Sequence, residues 1–160
     1  MIADSHIVLN YFRLWLQKKG HTGPLIIMGR SLGSTSALEL AAHHSEYIDA
    51  LIIESGFAFS GPLLELLGVD LKKIDFSEDK AFSNLEKIRR YKGPTLIIHA
   101  EYDHIIPYAD GLALFNASPA QDKRLIKIHN ANHNDIFARG MNDYLNAIQR
   151  LSESIKSYRR

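Results

Sequence analysis

Three short aliphatic runs constrain this chain more than any other feature: Leu25-Ile26-Ile27-Met28, Leu51-Ile52-Ile53 and Leu96-Ile97-Ile98. A strand with one wet face alternates apolar and polar residues. These runs do not alternate, so both of their faces need cover, which is the habit of parallel sheets. A fourth run, Leu125-Ile126-Lys127-Ile128, carries a lysine and suits a sheet edge. The pattern places strands at 24–28, 51–55, 95–100 and 124–129.

The segments between them read as helices. Residues 4–19 carry Ile7, Val8, Tyr11, Leu14 and Trp15 at helical spacing, then Lys18, Lys19 and a stop at Gly20. Residues 33–43 are helix-forming, and 108–116 lie between Pro107 and Pro119. Ser83-Asn84-Leu85-Glu86 reads as a capping box opening a helix to about Tyr91. The last helix spans 141–158, with Met141, Tyr144, Leu145, Ile148, Leu151 and Ile155 on one stripe. Strand and helix in strict alternation predict a parallel α/β sheet with right-handed crossovers. If the strands pair in sequence order, all three crossovers share one face. The first and last helices are then left to cover the other, and 24–28 stands at an exposed edge.

With 160 residues the chain is expected to form a single domain, 1–160, with a small cap or pocket wall inserted at 56–82. A net charge of +1 gives no general attraction to nucleic acid, and the basic end Lys156-Ser157-Tyr158-Arg159-Arg160 reads as a solvated tail. Absence of cysteine excludes disulfides, thiol nucleophiles and cysteine metal sites. The histidines and acids show no metal-ligand spacing, so neither metal nor cofactor is expected. No apolar run approaches the ~20 residues of a membrane span, and Met1-Ile2-Ala3-Asp4 lacks the start of a signal peptide. A soluble cytoplasmic protein is the expectation.

The chemistry gathers where the strand at 24–28 runs into Gly29-Arg30-Ser31-Leu32-Gly33 and a helix follows. A serine hydroxyl is a poor nucleophile until a base takes its proton. A sharp turn between strand and helix lifts that hydroxyl above the sheet, and Gly29 and Gly33 are expected to keep the crowded backbone approachable. The helix begins at the same point, so its free N–H groups and positive dipole end favour a developing oxyanion. The Leu32 N–H is the expected donor. Two other readings compete for Ser31. One is a capping serine in a tight turn. The other is a phosphate loop over Gly23 to Ser31, whose spacing is one residue too long and which lacks the lysine.

An acid and a base follow in chain order. Asp103 lies just beyond the third run, where a carboxylate can hold an imidazole in the right tautomer; Glu54 and Glu101 compete with it. His133 lies in the loop after the last run, with His129 as competitor. His43 and His44 close a helix, where a cation suits the dipole, and His6, His21, His99 and His104 read as surface or loop residues.

Gly29-Arg30-Ser31-Leu32-Gly33, Asp103-His104-Ile105-Ile106-Pro107 and Asn132-His133-Asn134-Asp135 together resemble the alpha/beta hydrolase superfamily. The branch of similar pattern includes membrane-associated acyl thioesterases. The resemblance covers nearly the whole chain but only the C-terminal part of that three-layer fold, which is therefore expected to lack its N-terminal strands. It implies Ser31 as nucleophile, Asp103 as acid and His133 as base. The reaction expected from it is cleavage of a carboxylic ester or thioester through an acyl-enzyme, with a small acyl compound as substrate. Arg30, Phe57, Leu63 and Leu64 are the candidate substrate-binding residues; an ion pair for Arg30 and core packing for the apolar three are the alternatives. The rival functions are an incomplete or inactive piece serving as an interaction module, and an acyltransferase or peptidase of the same fold. Family members place a further strand beside the nucleophile strand, and the loop after it gives the second oxyanion N–H. The bare edge at 24–28 predicts association with another copy.

Overall fold

A computed structural model describes residues 2–158; Arg159 and Arg160 of the basic end lie outside the described residues. Four parallel strands form one sheet in the order β1-β2-β3-β4: Ile26–Arg30, Ala50–Glu54, Thr95–Ala100 and Lys123–Ile128. The parallel α/β sheet expected from the aliphatic runs is present. β1 starts and ends two residues later than the expected strand, because Gly29 and Arg30 still pair with Ile53 and Glu54. The first half of the serine motif therefore belongs to the sheet.

The helices are α1 (Ile2–Lys18), α2 (Gly33–His43), α3 (Ser60–Leu66), α4 (Asn84–Arg90), α5 (Tyr108–Ala117) and α6 (Ile136–Tyr158). Single 3-10 turns at Leu71–Lys73 and Glu78–Lys80 fill the stretch before α4. The expected capping box is absent. Ser83 is left-handed (φ 50°), so its hydroxyl turns back to donate to the Glu78 and Asp79 carbonyls at 3.2 and 3.0 Å. α6 begins five residues before position 141 and kinks at Gly140 (φ −123°, ψ 29°), where a side chain would run into Ile128 of β4.

Period two along the central strands divides the core. Leu51, Ile53 and Ile97 face α2, α4 and α5 with Leu38, Ile88, Tyr91 and Leu114. Ala50, Ile52, Leu96 and Ile98 face α6 with Tyr144, Ala147, Leu151 and Ile155. The expectation that α1 shares the second face with α6 is corrected here. α1 joins the first face through Leu9 and lies beside α2, where His6 Nδ1 meets His44 Nε2 at 2.8 Å. Among the described residues α6, with Ala131 of the loop before it, covers the other side. The apolar stripe of α1 turns outward: Ile7, Val8, Tyr11, Leu14 and Trp15 are all exposed. β1 is a sheet edge, with Met28 46% exposed while β2 and β3 are buried throughout.

Candidate active site

The C-terminal ends of β1, β3 and β4 each deliver one candidate residue. At β1 the chain turns sharply into α2, and Ser31 adopts φ 50°. A non-glycine residue held there costs ~1–3 kcal/mol and persists only where its surroundings force it. Here the Ser31 N–H donates to the Glu54 carbonyl at 2.9 Å and the Ser31 carbonyl accepts from Ser34 N–H at 3.0 Å. Gly29 is the residue that makes the turn possible. A Cβ on it would stand 2.6 Å from the Gly33 carbonyl oxygen, 2.7 Å from Ala37 Cβ and 2.8 Å from Ser34 Cα. Gly33 differs from expectation: a Cβ on it meets nothing within 4 Å, because it opens α2 facing free space.

Asp103 sits three residues past β3 in a tight turn of its own making. Its Oδ1 accepts the N–H groups of Ile105 at 3.0 Å and Ile106 at 2.8 Å, the habit of aspartate in turns. Its Oδ2 accepts from His133 Nδ1 at 2.7 Å, and both side chains are buried. Burial acts first on this carboxyl and would push its pKa up. The Ile106 amide, His133, the Ile105 amide and the nearby Ser55 hydroxyl outweigh it, and the net shift is downward. Asp103 is thus held as an acceptor facing His133 Nδ1.

His133 follows β4 in a loop stitched by its own polar residues. Asn132 N–H donates to Asp135 at 2.7 Å, Asn134 N–H to the Asn132 side chain at 2.8 Å, and Ala131 accepts from Tyr102 N–H at 2.9 Å. The structure brings Asp103 and His133 into contact; Ser31 and His133 are not hydrogen-bonded to each other. Nucleophile–base contacts are often loose without substrate.

The competitors have other partners. Glu101 takes the Asn130 N–H at 3.0 Å and faces His129 at 3.3 Å. Glu54, buried at the end of β2, binds Arg30 Nε at 3.0 Å and the Tyr144 hydroxyl at 2.6 Å. Phe57 and Leu63 are buried with Ile106 and flanked by Phe82 and Ile105, so they pack on the turn that carries Asp103. Leu64 is half-buried, while Leu66 and Leu67 stand in solvent. The start of this segment is tied down by Glu78, which accepts the Ser60 and Gly61 N–H groups at 2.8 and 2.7 Å.

His99 corrects the sequence reading. It is fully buried in β3, not at the surface, and its Nε2 donates to the Ile106 carbonyl at 2.8 Å. Burial drives its pKa down against that hydrogen bond and the Asp103 charge. A neutral ring therefore braces the acid turn from below. The hint lay in its place within Leu96-Ile97-Ile98-His99-Ala100, a strand with no wet face. Among the described residues no group of three or more histidines and acids is arranged to hold a metal, and no helix is long and apolar enough to cross a membrane.

A parallel sheet with a left-handed serine at a strand–helix turn, and an acid–imidazole pair on later strand ends, is the frame of the alpha/beta hydrolases, and this chain has that fold and is similar to proteins of that superfamily. The human and Xenopus laevis proteins named "Alpha/beta hydrolase domain-containing protein 17B" are each 34% identical to it over 112 residues, 70% of this chain. The chain spans 36% of the length of those relatives. No family model matches. Among solved structures, a monoacylglycerol lipase from Paleococcus ferrophilus superposes with TM-score 0.66 at 18% identity, covering 93% of this chain and 75% of its own. The esterase domain of a Rhodothermus marinus protein gives TM-score 0.63 at 20% identity, covering 86% of this chain and 63% of its own. At these identities the two structures speak for the fold.

Proposed function

We propose that the chain carries the catalytic residues of a serine hydrolase that cleaves a carboxylic ester or thioester through an acyl-enzyme. The observation that carries this reading is the 2.7 Å contact of Asp103 with His133 Nδ1, which leaves Nε2 to serve a serine raised on the elbow. Ser31 attacks the acyl carbonyl as His133 takes its proton. The Leu32 N–H at the start of α2 supports the oxyanion. His133 then protonates the leaving alcohol or thiol, and a water activated by the same ring frees the acid. Asp103 stays ionised throughout and steadies the imidazolium. The described strands include none before β1, and the second oxyanion donor is proposed to come from outside β1–β4.

Residues 56–82 are proposed as a small insertion in the single domain 1–160, with Phe57, Leu63 and Leu64 backing the acyl group. Acyl transfer to an acceptor other than water, and peptide cleavage, share the first step and differ in products. A cytoplasmic setting belongs to the same proposal.

The test is covalent. A fluorophosphonate probe is expected to label Ser31 in the protein that carries this chain, and Ser31→Ala to abolish labelling. Equal labelling of the alanine variant, or none of the parent, would overturn the reading.

The bare β1 edge and the outward stripe of α1 support a second proposal, association of the isolated chain with its own copies. Sedimentation across a dilution series is expected to show mass rising with concentration. A monomer at every concentration would reject it.

A further inference from the structure

We propose that Arg30, held by Glu54 and Tyr144, is a positioning residue that locks the backbone of His133 against the serine elbow. The proposal rests on the serine hydrolase reading and extends it to residues outside the triad. Arg30 Nη2 donates to the His133 carbonyl at 2.6 Å, and its Nε donates to Glu54 Oε1 at 3.0 Å. The other Glu54 oxygen accepts from the Tyr144 hydroxyl of α6 at 2.6 Å. One guanidinium therefore joins three strand ends: its own on β1, Glu54 on β2, and the histidine loop after β4.

The register explains why the device sits there. Arg30 and Glu54 are paired across β1 and β2, and Ser31 N–H bonds the backbone carbonyl of the same Glu54. The residue that braces the nucleophile's backbone thus also orients the arginine that braces the base. A guanidinium suits the task because its planar fork bonds two acceptors at a fixed angle. Burial, then the hydrogen bond and charge of Glu54, push the Tyr144 phenol up in pKa, so it stays a neutral donor. Glu54 lies buried, its two oxygens taken by these two donors, while the Arg30 side chain is 44% exposed. Two of the five guanidinium N–H donors serve these partners, and the remaining ones are those an anionic substrate would use if Arg30 were instead its anchor.

Ser31 and His133 are not hydrogen-bonded to each other, and the Arg30–His133 hydrogen bond ties the loop to the end of β1 in place of such a contact. A misplacement of about 1 Å can cost ~10²-fold in rate. The experiment measures fluorophosphonate labelling of Ser31 and hydrolysis of one neutral and one anionic p-nitrophenyl ester by Arg30→Met, Arg30→Lys and Tyr144→Phe. Hydrogen exchange of the His133 Nδ1–H is followed by NMR in the same variants. Arg30→Met is expected to lower the maximal labelling rate and kcat by ~10²-fold, with KM unchanged for both esters. Arg30→Lys should recover part of the loss and Tyr144→Phe show a smaller one, and the Nδ1–H should exchange faster in the order of the losses. A rise in KM confined to the anionic ester would instead make Arg30 a substrate anchor and overturn the proposal. So would unchanged rates and exchange in Arg30→Met, or losses that follow the thermal unfolding midpoint across the variants. If the parent protein does not label at all, the hydrolase reading fails, and exchange at His133 alone decides whether the lock exists.

Discussion

Asp103→Asn is expected to lower turnover by ~10⁴-fold in a catalytically active form of the protein, with a much smaller change in KM. The carboxylate accepts His133 Nδ1–H at 2.7 Å, and an amide in its place can present an N–H there and reverse the tautomer. Nε2 would then carry the proton and could not act as base. The same substitution has a pH signature. The folded-state pKa of Asp103 is depressed, chiefly because the Ile106 amide, His133 and the Ile105 amide outweigh burial. A depressed carboxyl contributes stability that is fully present above its unfolded value of about 3.9 and is lost as pH falls through the folded value. The asparagine variant should lose that part of the acid limb. Steady-state kinetics and unfolding midpoints from neutral pH downward check both parts. Turnover within tenfold of the parent would remove Asp103 from the proposed triad.

Gly29→Ala is expected to damage fold and site together, whereas Gly33→Ala should be mild. A Cβ at position 29 would stand within 2.6–2.8 Å of Gly33 O, Ala37 Cβ and Ser34 Cα. Two of these are backbone atoms at the start of α2, which cannot swing aside as a long side chain can. Overpacking of this kind costs ~1–3 kcal/mol, and relief by moving α2 would displace Ser31 and the Leu32 N–H. Position 33 has open space, so the same methyl meets no resistance. Denaturant unfolding and probe labelling of both variants check the contrast. Equal stability of the two would show that the elbow yields more readily than its packing indicates.

Legibility followed the range of the interaction. The four strands were readable because burial on both faces leaves runs such as Leu96-Ile97-Ile98 without alternation, whereas α3 inside the expected cap at 56–82 was not. The elbow was readable because strand, glycine, serine and helix are neighbours in the chain. Ser83 departs from the expected capping box because that box is only a spacing, and its hydroxyl bonds the Glu78 and Asp79 carbonyls from a left-handed backbone. α1 joins the face opposite to the expected one because an apolar stripe tells which side of a helix wants cover, not which face of a sheet it joins. Its stripe in fact points outward.

By itself, then, the sequence determined a parallel α/β sheet, a serine at a strand–helix turn, and a short set of acids and histidines near later strand ends. Tertiary structure set their partners. Asp103 meets His133 across 30 residues, Glu54 goes to Arg30 and Tyr144, and His99 is sealed beneath the acid turn. A parallel sheet gathers loops that are distant in the chain at one end of its strands. Which side chains touch there depends on register and on the turn each loop makes, and neither is written in local spacing.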